Sequence, residues 1–208
     1  MRHGRARSRR PGEREPYDRV LIVCEGAETE PTYFRDLCAD PEYRLTSVDV
    51  DGSCDSNPLS VVEYGLREYR EDGSYDRLYC VFDRDRHDGF RDAVERLRET
   101  RDPPDWDVHW TYSIPCFEYW ILLHYTLTGR LFVHPDSPCG EVVEEIENYL
   151  PNFRKGMSGL YDETKDNLDT AMENARQRWG QARGGSYDDY NPRTKVHKLI
   201  SYLQDLRS

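Results

Sequence analysis

The sequence predicts an α/β fold: a mostly parallel sheet flanked by helices on both faces, followed by a helical extension at the C-terminal end. Three observations support this class. Short apolar runs at 19–24 and 77–82 have the β-branched composition of buried parallel strands. A segment with helical spacing of apolar residues follows each run. Such alternation predicts parallel strands joined by right-handed crossovers, whereas beyond about residue 130 only helices are predicted.

The individual elements follow from the same patterns. Strands are predicted at 19–24, 47–50, 77–82 and 107–112. Thr29 is a candidate N-cap for the first helix, with Pro31 in its first turn. Further helices are predicted at 59–69, at 90–97, from Cys116 to about Leu127, and, in the extension, at 141–150, 168–179 and 194–206. The chain thus divides into a disordered basic tail (1–16), an α/β core (17–128) and a helical extension packed on the core (129–208).

Composition restricts the function. The formal net charge of −11 over 208 residues argues against a chain that coats nucleic acid by bulk electrostatics. The Arg-rich residues 1–16 are either a solubilising tail or an arm that contacts phosphates. The six cysteines have no close metal-ligand spacing, which predicts reduced thiols. Because no long apolar span or signal peptide is present, we expect a cytoplasmic protein without membrane association.

Acidic residues follow two of the predicted strands. Glu25 ends the first, and Asp83 and Asp85 follow the strand at 77–82. The carboxyl ends of parallel strands share one edge of the sheet, and residues i and i+2 of an extended segment point the same way. Oxygen ligands without Cys or His favour Mg²⁺ or Mn²⁺. An Asp-x-Asp sequence alone is usually an exposed turn, but its place after a buried strand favours a cation site.

Three further residues are candidates for catalysis. Glu30 lies in the first turn of a helix. It is either a capping carboxylate that the helix dipole stabilises or a second acid of the site. Glu118 lies among aromatic residues, where a charged group needs a partner. It is either a capping or salt-bridged residue or a residue of the site, and we favour the second. His124 is either a core histidine or a catalytic one. Core positions are predicted for Phe117, Trp120, Ile121 and Leu127.

Basic residues provide candidate substrate contacts. Arg84, Arg86 and His87 surround the aspartates and could hold a phosphate, although solvated charges would give the same pattern. In the extension the candidates are Lys155, Lys195 and His197. For the last two, the alternative is the start of a capped helix.

Four ordered blocks of the chain resemble the RloB family. They are Val20-Leu-Ile-Val-Cys-Glu-Gly-Ala-Glu-Thr-Glu-Pro-Thr-Tyr-Phe34, Val81-Phe-Asp-Arg-Asp85, Ser113-Ile-Pro-Cys-Phe-Glu-Tyr-Trp-Ile-Leu-Leu-His124 and Asn191-Pro-Arg-Thr-Lys-Val-His-Lys-Leu-Ile200. That family is grouped with Toprim-like proteins of bacterial restriction and abortive-infection loci, often beside an AAA or ABC-type ATPase. The resemblance implies a Toprim core, a divalent metal, nucleic-acid cleavage and antiphage defence. It also implies that Glu25 matches the Toprim glutamate, a general acid/base or metal ligand, and that Asp83 and Asp85 match the aspartate pair.

The resulting prediction is an Mg²⁺-dependent or Mn²⁺-dependent Toprim endonuclease that acts on RNA or DNA with an ATPase partner. The alternative is a non-catalytic Toprim-like adaptor or sensor that binds the ATPase or a ligand. Strand-passing topoisomerases and primases are disfavoured, because the chain lacks a catalytic tyrosine domain and a zinc module. Haloacid dehalogenase phosphatases are disfavoured, because His87 stands where their Asp-x-Asp-x-Ser/Thr motif has a hydroxyl residue. Homo-oligomer formation is left open.

Overall fold

A computed structural model of the chain describes residues 18–55, 57–84, 89–100, 106–181 and 190–206. The predicted basic tail at 1–16 lies outside the described residues. So do Asp85, Arg86 and His87, which were predicted as a metal ligand and as phosphate contacts.

A five-stranded sheet forms the centre of the fold, in the spatial order β2-β1-β3-β4-β5. The strands are β1 (Val20–Cys24), β2 (Val48–Asp51), β3 (Arg77–Asp83), β4 (Val108–Ile114) and β5 (Arg193–Thr194). Strands β1 to β4 are parallel, and β5 joins the β4 edge in the antiparallel direction. The predicted α/β class with a mostly parallel, Rossmann-like sheet is therefore confirmed.

Eight α-helices are present in the described part of the chain. They are α1 (Thr29–Ala39), α2 (Pro58–Asp72), α3 (Gly89–Glu99), α4 (Glu118–Leu122), α5 (Pro138–Glu147), α6 (Leu160–Thr164), α7 (Leu168–Gln181) and α8 (Val196–Leu206). The helical C-terminal extension is confirmed, but the prediction of helix from residue 194 is wrong at its start. Thr194 pairs with Ser113 in β5, and α8 begins two residues later.

Helix α4 is much shorter than its apolar sequence predicts. The carbonyl of Leu123 accepts a hydrogen bond from Asn174 Nδ2 at 2.8 Å, and Tyr119 Oη donates to the Thr128 carbonyl at 2.8 Å. These tertiary bonds hold the chain in a turn where a longer helix was expected. As a result Leu127, predicted to be in the core, is 39% exposed. Phe117, Trp120 and Ile121 are buried as predicted.

Each face of the sheet carries its own hydrophobic cluster. Side chains alternate along β3, so Tyr79 and Val81 belong to one cluster, while Cys80 and Phe82 belong to the other. The first cluster also contains residues of α1, α4 and the C-terminal extension, including Leu199, whereas the second is covered by α2 and α3. The extension thus packs against the same face of the sheet as α1. The domain boundaries given above remain a prediction.

The cysteines only partly follow the prediction of reduced thiols. Cys24, Cys38, Cys54 and Cys80 are free. Cys116 and Cys139 form a disulfide, with Cα atoms 5.8 Å apart, so the prediction is wrong for this pair. The two residues are 23 positions apart and meet only because α5 packs against α4. Among the described helices, none combines the length and apolar character needed to cross a membrane.

Candidate metal and acid–base site

Glu25 and Asp83 meet where β1 and β3 end side by side. Glu25 directly follows β1, and its backbone N–H donates to the Val81 carbonyl at 2.9 Å, which extends the pairing by one residue. Gly26 then takes a positive φ of 75°, which lets the chain turn away sharply. The Glu25 side chain reaches across to β3, where Oε2 accepts a hydrogen bond from the Asp83 N–H at 2.8 Å. Two of the three predicted metal ligands are therefore brought together.

Asp83 is held from its other side by the segment that precedes α4. Its Oδ2 accepts a hydrogen bond from the Phe117 N–H at 3.0 Å. Burial raises the pKa of Asp83 well above its usual range, and the nearby charges of Glu30, Glu118 and Glu25 raise it further. Such a shift means that several carboxylates share one poorly solvated volume.

Glu30 joins this group from the first turn of α1. Burial raises its pKa to about 8, assisted by repulsion from Glu118 and Glu25. Glu30 as a whole keeps some accessible surface. The raised pKa therefore reflects dense packing around its carboxyl group more than complete burial of the residue. Glu30 is thus brought to the predicted site, and it retains a proton at neutral pH.

Glu118 is the most deeply buried carboxylate of the group, at 2% exposure. Its Oε2 lies 3.3 Å from the Nζ of Lys155, a residue with a half-exposed side chain. Burial disfavours the Lys155 charge, but Glu118, Asp83 and Glu30 outweigh that effect and raise the Lys155 pKa. Lys155, predicted as a substrate contact, is therefore an internal counterion of the carboxylates.

The position of Lys155 depends on a long-range hydrogen bond at the start of α1. The N–H of its neighbour Gly156 donates to Thr29 Oγ1 at 2.9 Å, joining positions 127 residues apart. The sequence makes Thr29 a candidate N-cap, but Glu28 occupies that position and Thr29 is the first helical residue. The Thr29 hydroxyl accordingly anchors the lysine segment to α1.

The donor chemistry of this group fits a hard divalent cation. Four carboxylates, Glu25, Glu30, Asp83 and Glu118, lie near one ammonium group, and the raised pKa values of Glu30 and Asp83 indicate an excess of negative charge. Oxygen donors with such an excess suit Mg²⁺ or Mn²⁺. In the described ranges, three ligand atoms within 4.8 Å of one another occur at Cys116, Glu118 and Cys139 but not at the Glu25–Asp83 pair. A third oxygen ligand there depends on Asp85.

His124 lies in the hydrophobic core. It is 1% exposed, and its ring packs against Trp120 and Tyr33. Nδ1 donates to the carbonyls of Trp120 and Ile121 at 3.1 and 3.2 Å, and Nε2 faces the Tyr33 hydroxyl at 3.4 Å. Burial lowers the pKa of His124 to about 4. These contacts favour the alternative of a neutral core histidine over a catalytic one.

Lys195 and His197 lie against the opposite face of the sheet from Asp83. The Lys195 ammonium is 4.7 Å from the ring centroid of Tyr112 and 5.4 Å from that of Trp179, both of which belong to the second cluster. The His197 ring centroid is 6.1 Å from Trp179, and burial lowers the His197 pKa to about 4. Asp83, two residues after Val81, continues the first face. The structure therefore does not bring this predicted pair of substrate contacts to the carboxylates.

Arg84 is the one predicted phosphate contact near the aspartates that lies in the described ranges. Its backbone N–H donates to the Ser113 carbonyl at 2.9 Å. Arg84 lines a surface cavity of about 390 Å³ together with Pro115, Phe132 and Val133. Burial lowers the pKa of Arg84, with a further contribution from Arg91. Arg84 directly follows Asp83 in the sequence, so the cavity has a cationic residue in its lining.

Sequence reasoning missed the sulfur atoms beside Glu118. Cys139 Sγ lies 3.0 Å from Glu118 Oε2, and its disulfide partner Cys116 precedes Phe117, the residue whose N–H holds Asp83. A spacing of 23 residues gives no signal for such a pair. The available clue was the proximity of Cys116 to the buried Glu118 in the same short block.

Fold and site together define a class: a Rossmann-like α/β protein with an acidic site at the carboxyl ends of adjoining parallel strands. Residues 20–203 match a protein family that is described as "RloB-like protein". The chain therefore belongs to the RloB-like family. No curated protein and no solved structure matches the chain.

Proposed function

We propose that this protein is a Toprim-type endonuclease that hydrolyses phosphodiester bonds of RNA or DNA and requires Mg²⁺ or Mn²⁺. The observation that carries the proposal is the convergence of Glu25 and Asp83 at adjoining strand ends, with Glu30 and Glu118 close enough to perturb the Asp83 pKa. Buried acidic groups of this kind are costly to fold, and they concentrate at functional sites.

Metal binding is assigned to Glu25 and Asp83, with Asp85 as the third ligand. A divalent cation held there would neutralise the charge that develops on a phosphate during hydrolysis. The protein contributes a fixed donor arrangement, because Glu25 is tied to the Asp83 backbone and Asp83 to the Phe117 backbone. Cation binding would therefore require only side-chain rotation of Glu25 and Asp83, without movement of the backbone.

Proton transfer is assigned to Glu30. In phosphodiester hydrolysis a water oxygen bonds to phosphorus, the bond to one sugar oxygen breaks, and that sugar oxygen takes a proton. Burial and charge repulsion raise the pKa of Glu30 to about 8 in the metal-free protein, and a cation at Glu25 and Asp83 would lower it towards neutral pH, the range suited to a general acid. The Glu118 charge supports this role because it raises the Glu30 pKa, and its partner Lys155 acts in the opposite direction.

Substrate binding is assigned to the cavity lined by Arg84, which supplies a cationic group for phosphate. Arg86 and His87 are included in this assignment from the sequence. A net charge of −11 restricts the footprint, since a broad electrostatic surface for nucleic acid is unfavourable on so acidic a chain. The proposal therefore predicts a short contact with a few phosphates and strong dependence on salt.

The biological role that we propose is that of an antiphage, abortive-infection effector in the cytoplasm that works with an AAA or ABC-type ATPase, as the resemblance to the family suggests. The alternative role is a non-catalytic adaptor or sensor that docks this ATPase. Exposed apolar side chains after α4, at Leu127, Leu131 and Val133, favour a protein-binding surface there and are compatible with both roles.

A cleavage assay tests the proposal. Purified protein, with and without a candidate AAA or ABC-type ATPase partner, would be incubated with transfer RNA, single-stranded DNA and duplex DNA in Mg²⁺, Mn²⁺ or a chelator. We expect metal-dependent cleavage that Asp83→Asn abolishes and Glu147→Gln, which changes an exposed carboxylate of α5, leaves intact. Cleavage that persists in Asp83→Asn would contradict the site. Absence of cleavage in every condition, with ATPase binding retained, would favour the adaptor.

A further inference from the structure

Two sulfurs and a carboxylate form a second cluster of potential metal ligands, separate from the Glu25–Asp83 pair. Cys116, Glu118 and Cys139 are 1%, 2% and 4% exposed, and one ligand atom from each lies within 4.8 Å of the other two. Cys116 and Glu118 come from the segment that enters α4, and Cys139 from the first turn of α5. The cluster is therefore built by the contact between two helices.

The electrostatics of Glu118 are unusual in the disulfide form. Its Oε2 lies 3.0 Å from Cys139 Sγ, yet a sulfur in a disulfide carries no hydrogen and cannot donate to it. The same oxygen has the Lys155 ammonium at 3.3 Å, from a side chain that is half exposed. A deeply buried carboxylate oxygen thus touches a sulfur that offers it no hydrogen bond.

Reduction changes what these atoms can do. A dithiol that reduces the Cys116–Cys139 bond transfers two electrons and two protons to the sulfur pair and is itself oxidised to a disulfide. Thiolate sulfur is a soft ligand, and two thiolates with one carboxylate form a ligand set for zinc, which binds Cys and Glu in tetrahedral sites. Magnesium, by contrast, prefers oxygen ligands alone.

Size and charge both permit such a cation. Two thiolates about 2.3 Å from one tetrahedral Zn²⁺ lie ~3.7 Å apart, so the sulfurs must separate from bonding distance by ~1.7 Å. Two thiolates and the Glu118 carboxylate carry three negative charges, which one divalent cation and the Lys155 ammonium cancel together. The half-exposed Lys155 also marks the side from which solvent reaches the cluster.

We propose that reduction of the Cys116–Cys139 disulfide by a dithiol opens a binding site for one thiophilic divalent cation, Zn²⁺, held by Cys116, Glu118 and Cys139, with water as the fourth ligand. On binding, the two thiols release their protons to solvent as the two sulfur–zinc bonds form. The cation fixes Glu118 as a ligand and so withdraws it from the carboxylates around Asp83. The zinc site shares Glu118 with the carboxylates of the proposed nuclease, but zinc binding does not require that the protein cleave nucleic acid.

Cobalt titration tests this site without any activity assay. The full-length protein would be reduced with dithiothreitol, freed of reductant under anaerobic conditions and titrated with Co²⁺, which reports thiolate ligands by a charge-transfer absorption band. We expect one equivalent of Co²⁺ to produce the band in the reduced protein, Zn²⁺ to remove it, and the oxidised protein to show none. Substitution Glu118→Gln should weaken binding by at least about tenfold.

Matched variants separate this site from other thiols. The double substitution Cys116→Ser with Cys139→Ser should abolish the band, whereas Cys54→Ser, at a free cysteine outside the cluster, should retain it. A reduced protein that gives no band, or a double variant that retains it, would overturn the proposal. If reduction unfolds the protein, refolding on addition of one equivalent of Zn²⁺ supports the site and failure to refold contradicts it. Metal-dependent cleavage by the oxidised protein is measured separately, so either proposal can fail alone.

Discussion

Substitution Glu30→Gln is expected to make the folding stability less dependent on pH. Folding raises the pKa of Glu30 from 4.5 to about 8, so between these values the folded state binds a proton that the unfolded state has released. The free energy of unfolding therefore falls by about 1.4 kcal/mol for each pH unit in this window. The contribution is complete below pH 4.5 and is lost as the pH rises through 8. Over the window the loss reaches about 4 to 5 kcal/mol, a large share of a typical domain stability.

Urea unfolding in a metal chelator, measured at intervals from pH 5 to pH 8.5, gives this dependence by linear extrapolation. Glutamine keeps the shape of the protonated carboxyl group but cannot titrate, so the variant should be more stable than wild type at pH 8. A shallower slope should remain, because the pKa of Asp83 is raised in the same direction. Glu147→Gln provides the control and should follow wild type. Parallel curves for wild type and Glu30→Gln would refute the explanation based on burial and charge repulsion.

Three more predictions concern metal binding, the counterion and the extension. Mg²⁺ at about 100 times its dissociation constant should raise the free energy of unfolding by about 2.7 kcal/mol in wild type but not in Asp83→Asn, as measured by urea titration. Lys155→Met should cost about 1 to 2 kcal/mol in the same assay, because Glu118 loses its counterion; an unchanged midpoint would contradict the ion pair. Leu199→Ala, in the core, should cost about 2 to 5 kcal/mol, whereas Leu131→Ala, 60% exposed, should change stability by less than about 0.5 kcal/mol; equal costs would disprove core packing of the extension.

The sequence predicts β1 and β3 well, because these strands are buried on both faces and their apolar runs are continuous. Those runs also predict where Glu25 and Asp83 stand, since a residue that follows a buried parallel strand must emerge at its carboxyl end. The sequence spacing does not predict which strands are neighbours. The structure shows that β1 pairs with β3, so the two strand ends lie next to each other.

Other features depend on tertiary contacts that leave no local pattern. Strand β5 has two residues, too few for alternation to be visible, and it forms because Ser113 and Thr194 pair across 81 positions. The length of α4 is set by Asn174, which comes from a distant helix. The role of Lys155 is equally invisible in its own segment. Lys195 is predicted as a substrate contact because it is basic, but its ammonium lies 4.7 Å from the ring centroid of Tyr112, a residue of the second cluster.

The hydrogen bond between Thr29 and Gly156 has a consequence for the order of events during synthesis. Glu25 and Asp83 can come together as soon as β1, β3 and the elements between them, α1, β2 and α2, have left the ribosome. The ammonium that balances them arrives more than seventy residues later, with the segment that this bond secures. A nascent chain halted between these points holds its acidic groups uncompensated, and their mutual repulsion works against closing the site. The acidic centre is therefore completed late, when most of the chain is already available to surround it.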